Sequence, residues 1–242
     1  MRKVIAILLL WVWPPLLMPQ QAAMFGTNYN TGPLPPSPGT GCTTAATAAS
    51  VNCTITAIGG ETLIIGMSWN GTQTVTSVVD SAGTPLSVYA INSTTHPVLW
   101  FTSSARSYDL YYEANLSSGT HTITITLSSS VNQNLAVVPF TGAKLTSPID
   151  AISTPFVGTN VNPLACNALT TTQTNDTIIA WGSSGSSSIV TNAGSGYTLL
   201  ERPQNFIAME SGPAALATSY TPTFSSTSLT TSFCGAVAIK HI

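Results

Sequence analysis

The stretch Thr120-His121-Thr122-Ile123-Thr124-Ile125-Thr126-Leu127 places a threonine at every second position, with mainly apolar side chains between. Successive side chains of a β-strand point to opposite faces, so the threonines share one face and Ile123, Ile125 and Leu127 share the other. This alternation is typical of a half-buried strand in an antiparallel sheet with one face in solvent.

The same alternation extends along the chain in both directions. Glu61–Trp69 places four large apolar side chains on one face, and Asn70-Gly71 predicts a hairpin turn into a strand over Thr72–Asp80. No stretch after Ala23 shows the apolar stripe of an amphipathic helix. The sequence therefore predicts an all-β protein, and further strands are expected at Pro85–Ile91, Val98–Ser103, Asp109–Leu116, Thr120–Ser128 and Leu135–Thr141.

The composition limits the possible partners. Only 6% of the 242 residues are charged, against about 25% in a typical globular protein. The net charge is −2 and the basic residues beyond Lys3 are scattered, so the clustered basic face needed to bind nucleic acid or an anionic membrane is missing. The few acidic residues are expected to be turn residues or solubilising surface charges.

The N-terminus predicts export. Arg2 and Lys3 precede an apolar run, which is followed by Gln20-Gln21-Ala22-Ala23, so residues 1–23 resemble a secretory signal peptide. The run carries a proline pair and is short for a membrane span, so the mature chain is expected to be secreted or on the cell surface. Residues 24–41 are rich in Pro and Gly, and they predict an extended tether.

Three sequence pairs recur in the same order and suggest an internal duplication. Five strands in the second copy are too few for a complete sandwich. We therefore expect one antiparallel two-sheet, jelly-roll-like sandwich over residues 42–242, with related halves at about 53–144 and 166–242. The pairs are Glu61–Ile65 with Asp176–Ala180, Ala82–Leu86 with Ser195–Leu199, and Leu135–Phe140 with Gly235–Lys240.

Four cysteines in an exported chain favour disulfides over a metal site, because no close Cys pair or neighbouring His is present. Three pairings are possible. The duplication makes Cys53 and Cys166 equivalent and favours Cys166–Cys234, which would join the first and last strands of the second half. Cys42–Cys53 would then join the tether to the first strand.

The order of several short motifs resembles a broad group of uncharacterised β-sandwich modules from exported bacterial proteins and phage structural or tail proteins. The resemblance covers about Cys53 to Lys240 and implies an extracellular binding or structural role without catalytic residues. The motifs are Glu61–Ile65, Val79–Gly83, Leu99–Phe101, Gly119–Thr124, Phe140–Ala143, Asp150, Asn175–Ile179 and Gly196–Thr198.

No motif predicts catalysis, a metal centre or a cofactor. The chain lacks the G-x-S-x-G nucleophile motif, and Asp109 and Glu113 are four residues apart on one strand, too far for a glycosidase pair. Glu201 and Glu210 could meet only through folding. Asp80, Asp150 and Asp176 could each contribute to a calcium loop, but an ordinary turn explains them as well.

Aromatic side chains are the best lead for binding, because sugar rings stack on exposed Trp or Tyr. The sequence predicts a ligand-binding group of Trp100, Tyr111, Asp109 and Glu113. We therefore expect a non-catalytic surface module that binds a glycan or an extracellular protein surface. The alternative is a self-associating structural subunit of a surface layer, filament or phage-like particle.

Overall fold

The computed structural model describes residues 34–82, 89–90, 101–102, 106–159, 162–184, 190–204, 207–226 and 231–242. These residues form β-strands and no helix, and every strand pair is antiparallel, which confirms the all-β prediction. They belong to one compact unit, Gly32–Ile242. The strands are β1 (Ser37–Pro38), β2 (Cys42–Ile58), β3 (Thr62–Asn70), β4 (Val75–Asp80), β5 (Tyr89–Ala90), β6 (Phe101–Thr102), β7 (Arg106–Glu113), β8 (Ser118–Thr141), β9 (Ile149–Ile152), β10 (Phe156–Thr159), β11 (Leu164–Ala165), β12 (Leu169–Thr170), β13 (Asp176–Ser184), β14 (Val190–Ala193), β15 (Thr198–Gln204), β16 (Ile207–Ala214), β17 (Ser219–Tyr220), β18 (Thr223–Ser226) and β19 (Thr231–Ile239).

The first half is organised around two very long strands. β8 pairs through its C-terminal part with β3, through its N-terminal part with β4, and along most of its length with β2. The two strands predicted at Thr120–Ser128 and Leu135–Thr141 are therefore one continuous strand. Ile123 and Val137 come from opposite ends of β8 and contribute to the same core cluster, so the strand curves around that core.

The second half repeats this order of strands. β3 lies between β8 and β7, and β13 lies between β19 and β16 in the same way. Ile64 pairs with Val138, and Ile179, at the matching position, pairs with Val237. The register matches Val138 with Val237, whereas the third sequence pair of the predicted duplication matches Val137 with Val237.

Three apolar clusters hold the layers together. Leu63 and Ile65 of β3 belong to the first-half cluster, whereas Ile64 belongs to a central cluster shared by both halves. On β13, Ile179 joins the central cluster and Ile178 the second-half cluster. The central strand of each half is therefore buried on both faces, whereas the threonine-bearing part of β8 is buried on one face only.

Two local predictions are wrong. The Asn70-Gly71 turn is present, with Gly71 at a φ of 82°, but β3 and β4 do not pair, because β4 pairs with β8 instead. The tether also ends earlier than residue 41, because Ser37–Pro38 pairs with Phe140–Thr141 at a sheet edge. Proline is tolerated there because an edge strand does not need every backbone donor.

Both expected disulfides, Cys42–Cys53 and Cys166–Cys234, are present. The first joins Cys42, at the start of β2, to Cys53 further along the same strand, across the first-half core. The second joins the residue after β11 to the long strand β19 across the second-half core. Each half is thus cross-linked within its own cluster.

Candidate functional site: an uncharged hydroxyl face

The structure does not display the predicted ligand-binding group on the surface. Tyr111 is fully buried, and its hydroxyl donates a 2.6 Å hydrogen bond to Asp109 Oδ2, which is also buried. The expected exposure of Tyr111 is therefore wrong, because the face of β7 that carries it packs into the first-half core. Glu113 is half-buried at the end of the same strand, and Trp100 lies outside the described residues.

The most regular exposed surface is the outer face of β2, β8 and β4. β8 lies in the middle, with Ser50, Asn52, Thr54 and Thr56 opposite its four threonines on one side and Ser77 and Val79 on the other. We call this surface the hydroxyl face, and it consists of Ser50, Asn52, Thr54, Thr56, Ser77, Val79, Thr120, Thr122, Thr124 and Thr126. It carries no charged and no aromatic side chain.

Hydrogen bonds between neighbouring strands order this surface. The hydroxyl groups of Ser50 and Thr126 are 2.8 Å apart, and those of Thr54 and Thr122 are 3.0 Å apart. Thr76 donates a 3.0 Å hydrogen bond to the Thr126 carbonyl. These bonds limit the rotamers of the hydroxyl-bearing side chains and hold them in rows at the strand spacing of about 4.8 Å.

The underside of the face explains its rigidity. Between the outward threonines, Ile123, Ile125 and Leu127 point into the first-half cluster, together with Val51 and Ile55 of β2. A register slip by one residue would expose this apolar set and bury the threonines, so the packing specifies which side chains face outward. The Cys42–Cys53 disulfide joins the same cluster.

The acidic residues are inside the protein, which corrects their expected role as solubilising charges. All eight lie in the described part of the chain, and none is exposed. Glu113, Asp150 and Glu201 are half-buried, and the other five are buried: Glu61, Asp80, Asp109, Asp176 and Glu210. The described surface consequently carries few charges, namely parts of the three half-buried carboxyl groups and a few cations such as the exposed Lys144 and Arg202.

Two acidic side chains, Asp80 and Glu113, lie near His121. Its Nδ1 is hydrogen-bonded to Asp80 Oδ2, and its Nε2 lies 2.9 Å from the Ser117 carbonyl. Burial alone would lower the pKa of His121, but the bonds to Asp80 and Ser117 and the nearby charges of Asp80 and Glu113 raise it. Both ring nitrogens are occupied and the ring is buried, so His121 is not placed to act as a general base on a substrate.

Both carboxylate oxygens of Asp80 are also hydrogen-bonded, so few of its lone pairs remain to bind a calcium ion. Its Oδ1 accepts a hydrogen bond from the Ala82 N–H at 3.1 Å, and its Oδ2 is bonded to His121. In the part of the chain that the structure describes, no three His, Cys, Asp or Glu side chains are grouped to hold a metal ion.

Glu201 and Glu210 lie on the paired strands β15 and β16 without forming a catalytic pair. Glu201 is level with Met209 of the central cluster, whereas Glu210 is level with Leu199, which packs on the second-half cluster. Adjacent positions on a strand face opposite sides of the sheet. The two carboxyl groups therefore face different layers.

Neither a protein-family model, nor a curated protein, nor a solved structure matches this chain. Among the described residues, no helix has the length and apolar character that crossing a membrane requires.

Proposed function

We propose that this protein is a non-catalytic, exported module that binds a neutral, hydroxyl-rich extracellular polymer, such as a polysaccharide, through the hydroxyl face. The predicted jelly-roll-like sandwich and the signal peptide over residues 1–23 are part of this proposal. The single observation that supports it is an ordered sheet face with eight hydroxyl groups and no charge.

The chemistry of the face limits what it can bind. Without charged groups it offers no attraction to phosphate, sulfate or nucleic acid, and without aromatic rings it offers no stacking platform. Its hydroxyl groups can each donate and accept hydrogen bonds. A neutral polymer with repeating hydroxyl groups would gain many weak, simultaneous contacts, whose sum depends on the regular spacing.

The test is sedimentation of the protein with insoluble neutral polysaccharides, namely cellulose, chitin, xylan and β-glucan. The variant Thr54→Ala/Thr56→Ala removes two hydroxyl groups from the face, whereas Thr43→Ala/Thr47→Ala removes two exposed hydroxyl groups from the other end of the same strand. We expect the first variant to bind at least about tenfold more weakly, since two hydrogen bonds at about 1 kcal/mol each are lost. Wild-type protein that binds none of these polymers, or equal loss in both variants, would overturn the proposal.

A structural subunit is the second candidate, favoured by one sheet edge. β9 and β10 pair only with β19 among the described strands, and they carry the exposed apolar side chains Ile152 and Val157. Such an edge can accept a strand from a second copy. A monomer at high concentration in sedimentation velocity, unchanged by Val157→Lys, would exclude this candidate, whereas assembly that Val157→Lys abolishes would support it.

A further inference from the structure

Glu210 is the first of three carboxyl groups that have a buried oxygen without a hydrogen-bond partner. It is fully buried on β16, its Oε2 accepts a 2.9 Å hydrogen bond from the Gly194 N–H, and its Oε1 has no partner. The phenol of Tyr197 is a titratable group that interacts electrostatically with it. Burial raises the pKa of Glu210 to about 8, and the Gly194 bond offsets only part of this shift.

Asp176, at the start of β13, is the second isolated carboxyl group. It is fully buried, and neither of its oxygens accepts a hydrogen bond of normal geometry. Burial, followed by the neighbouring Asp150, raises the pKa of Asp176 to about 7, while Lys240 and the His241 backbone act weakly in the opposite direction. In its neutral form Asp176 can donate its proton to the Asp150 carboxylate, which also accepts a bond from the Thr172 N–H.

Glu113 is the third, at the end of β7 in the other half of the chain. Its Oε2 is buried and has no partner. Burial and then the charge of Asp80 raise the pKa of Glu113 to about 7, and His121 lowers it only in part. Three of eight acidic residues therefore carry a buried oxygen without a partner, and all three are more stable in the folded protein when neutral.

We propose that this protein is built to work in acidic surroundings, because none of its acidic residues is exposed, three of them carry a buried oxygen without a hydrogen-bond partner, and its described surface carries few charges. Acid usually unfolds proteins by protonating paired carboxylates and by accumulating positive charge. Here most carboxylates do not form an ion pair that protonation could break. When every acidic residue is protonated, the chain carries at most the positive charges of six Lys and Arg and three His residues.

The direction of the pH dependence follows from linkage. A carboxyl group whose pKa is raised by folding stabilises the fold below its unfolded pKa, near 4, and this stability is lost as the pH rises to the folded value of about 7 or 8. His121, with a raised pKa, also contributes below about 6.5 and loses its contribution above its folded pKa. Asp150 acts in the opposite direction, because the Thr172 bonds outweigh its burial and lower its pKa below 3.8. The maximum therefore lies at about pH 4, where Asp150 is already ionised and the raised carboxyl groups have not yet begun to lose their contribution.

The test is urea unfolding of the disulfide-intact protein at about pH 5, 6.5 and 8. Each isolated carboxyl changes the unfolding equilibrium constant by up to tenfold per pH unit within its window, so we expect wild-type unfolding to become at least about 100-fold more favourable from pH 5 to pH 8. Glu210→Gln and Asp176→Asn, alone and together, should flatten this dependence. The control Thr43→Ala/Thr47→Ala, which removes two exposed hydroxyl groups and no titratable group, should leave it unchanged.

An infrared spectrum of the wild-type protein provides a readout that needs no variant. At about pH 6 the folded protein should retain the C=O band of protonated carboxyl groups, and this band should vanish in urea. Absence of the band, a stability maximum at about pH 8, or an undiminished pH dependence in the double variant would each overturn the proposal. None of these measurements involves polysaccharide binding, so the two proposals fail independently.

Discussion

The two halves cover their outer cores differently, although the order of their central strands is the same. In the first half, β2, β8 and β4 form one layer, because both β2 and β8 continue from the central sheet without interruption. In the second half the covering strands are two to four residues long and belong to two separate sheets, β11-β18-β14 and β12-β17. Among the strands that the structure describes, those of the first half therefore present the long, regular row of outward side chains.

The same difference is visible at matching buried positions. Ile65 pairs with Tyr111, and Ala180, at the matching position of β13, pairs with Glu210. Tyr111 has a hydrogen-bond partner in Asp109, whereas Glu210 retains an oxygen without one. Glu61 and Asp176 also match, and only Glu61 is bonded to a backbone N–H with normal geometry. At these two matching positions the first half has a hydrogen-bonded side chain, whereas the second half has a carboxyl group with an oxygen that lacks a partner.

The largest expected effect concerns the disulfides, because the second half has less sheet over its core. Cys166 and Cys234 are 68 residues apart in sequence, and Cys42 and Cys53 are 11 apart. A disulfide that closes a longer loop removes more entropy from the unfolded chain. Cys166→Ala/Cys234→Ala should therefore lower the free energy of unfolding by about 4 kcal/mol, and Cys42→Ala/Cys53→Ala should lower it by about 3 kcal/mol. Chemical denaturation measures both, and the reverse order would contradict this asymmetry.

Much of the fold could be predicted from the sequence because alternation reports which faces are buried. The Thr120–Leu127 pattern correctly separates outward threonines from inward apolar residues. The same rule could not show that β3 and β7 are buried on both faces, because Ser68 and Asp109 occupy buried positions despite being polar. The exposure of Tyr111 was mispredicted for this reason, since the layer that covers it comes from distant strands.

The second effect concerns the contact between the halves, where a glycine in one half faces a tryptophan in the other. A Cβ atom on Gly66 would lie 2.8 Å from Trp181 Cε3 and 2.9 Å from Met209 Cε. Gly66→Ala should therefore cost about 3 kcal/mol of stability through overpacking. The cost should shrink in the Trp181→Leu background, and a double-mutant cycle that gives no coupling would contradict direct contact.

The third effect concerns the buried hydrogen bond between Tyr111 and Asp109 in the first half. Tyr111→Phe removes the hydroxyl that donates to Asp109 Oδ2 and keeps the ring in the core. We expect a loss of about 2 kcal/mol, which is typical of a buried hydrogen bond to a charged group. A loss below about 0.5 kcal/mol for Tyr111→Phe would mean that the bond contributes nothing net.

The candidate site was harder to predict than the fold. The alternating threonines of β8 predict a solvent-facing surface. The pairing of β2 and β4 on either side of β8 could not be predicted, because the Asn70-Gly71 turn indicates a β3–β4 hairpin. The inward carboxyl groups gave no local signal at all. Their burial results from layers that assemble from both halves of the chain.

The smallest expected effect is on the hydroxyl face itself. Thr124 is the central threonine of β8, lying between Asn52 and Val79 of the neighbouring strands. Thr124→Val keeps the β-branched shape that suits a strand and removes only a hydroxyl group on the outer face. Its stability should stay within about 0.5 kcal/mol of wild type by urea unfolding.

If the face exists for binding, the same variant should weaken sedimentation with a bound polysaccharide, whereas a surface that serves only to keep the protein in solution would show neither change. A loss above about 1 kcal/mol would instead mean that the threonine rows stabilise the fold, and the functional contrast between the halves would disappear.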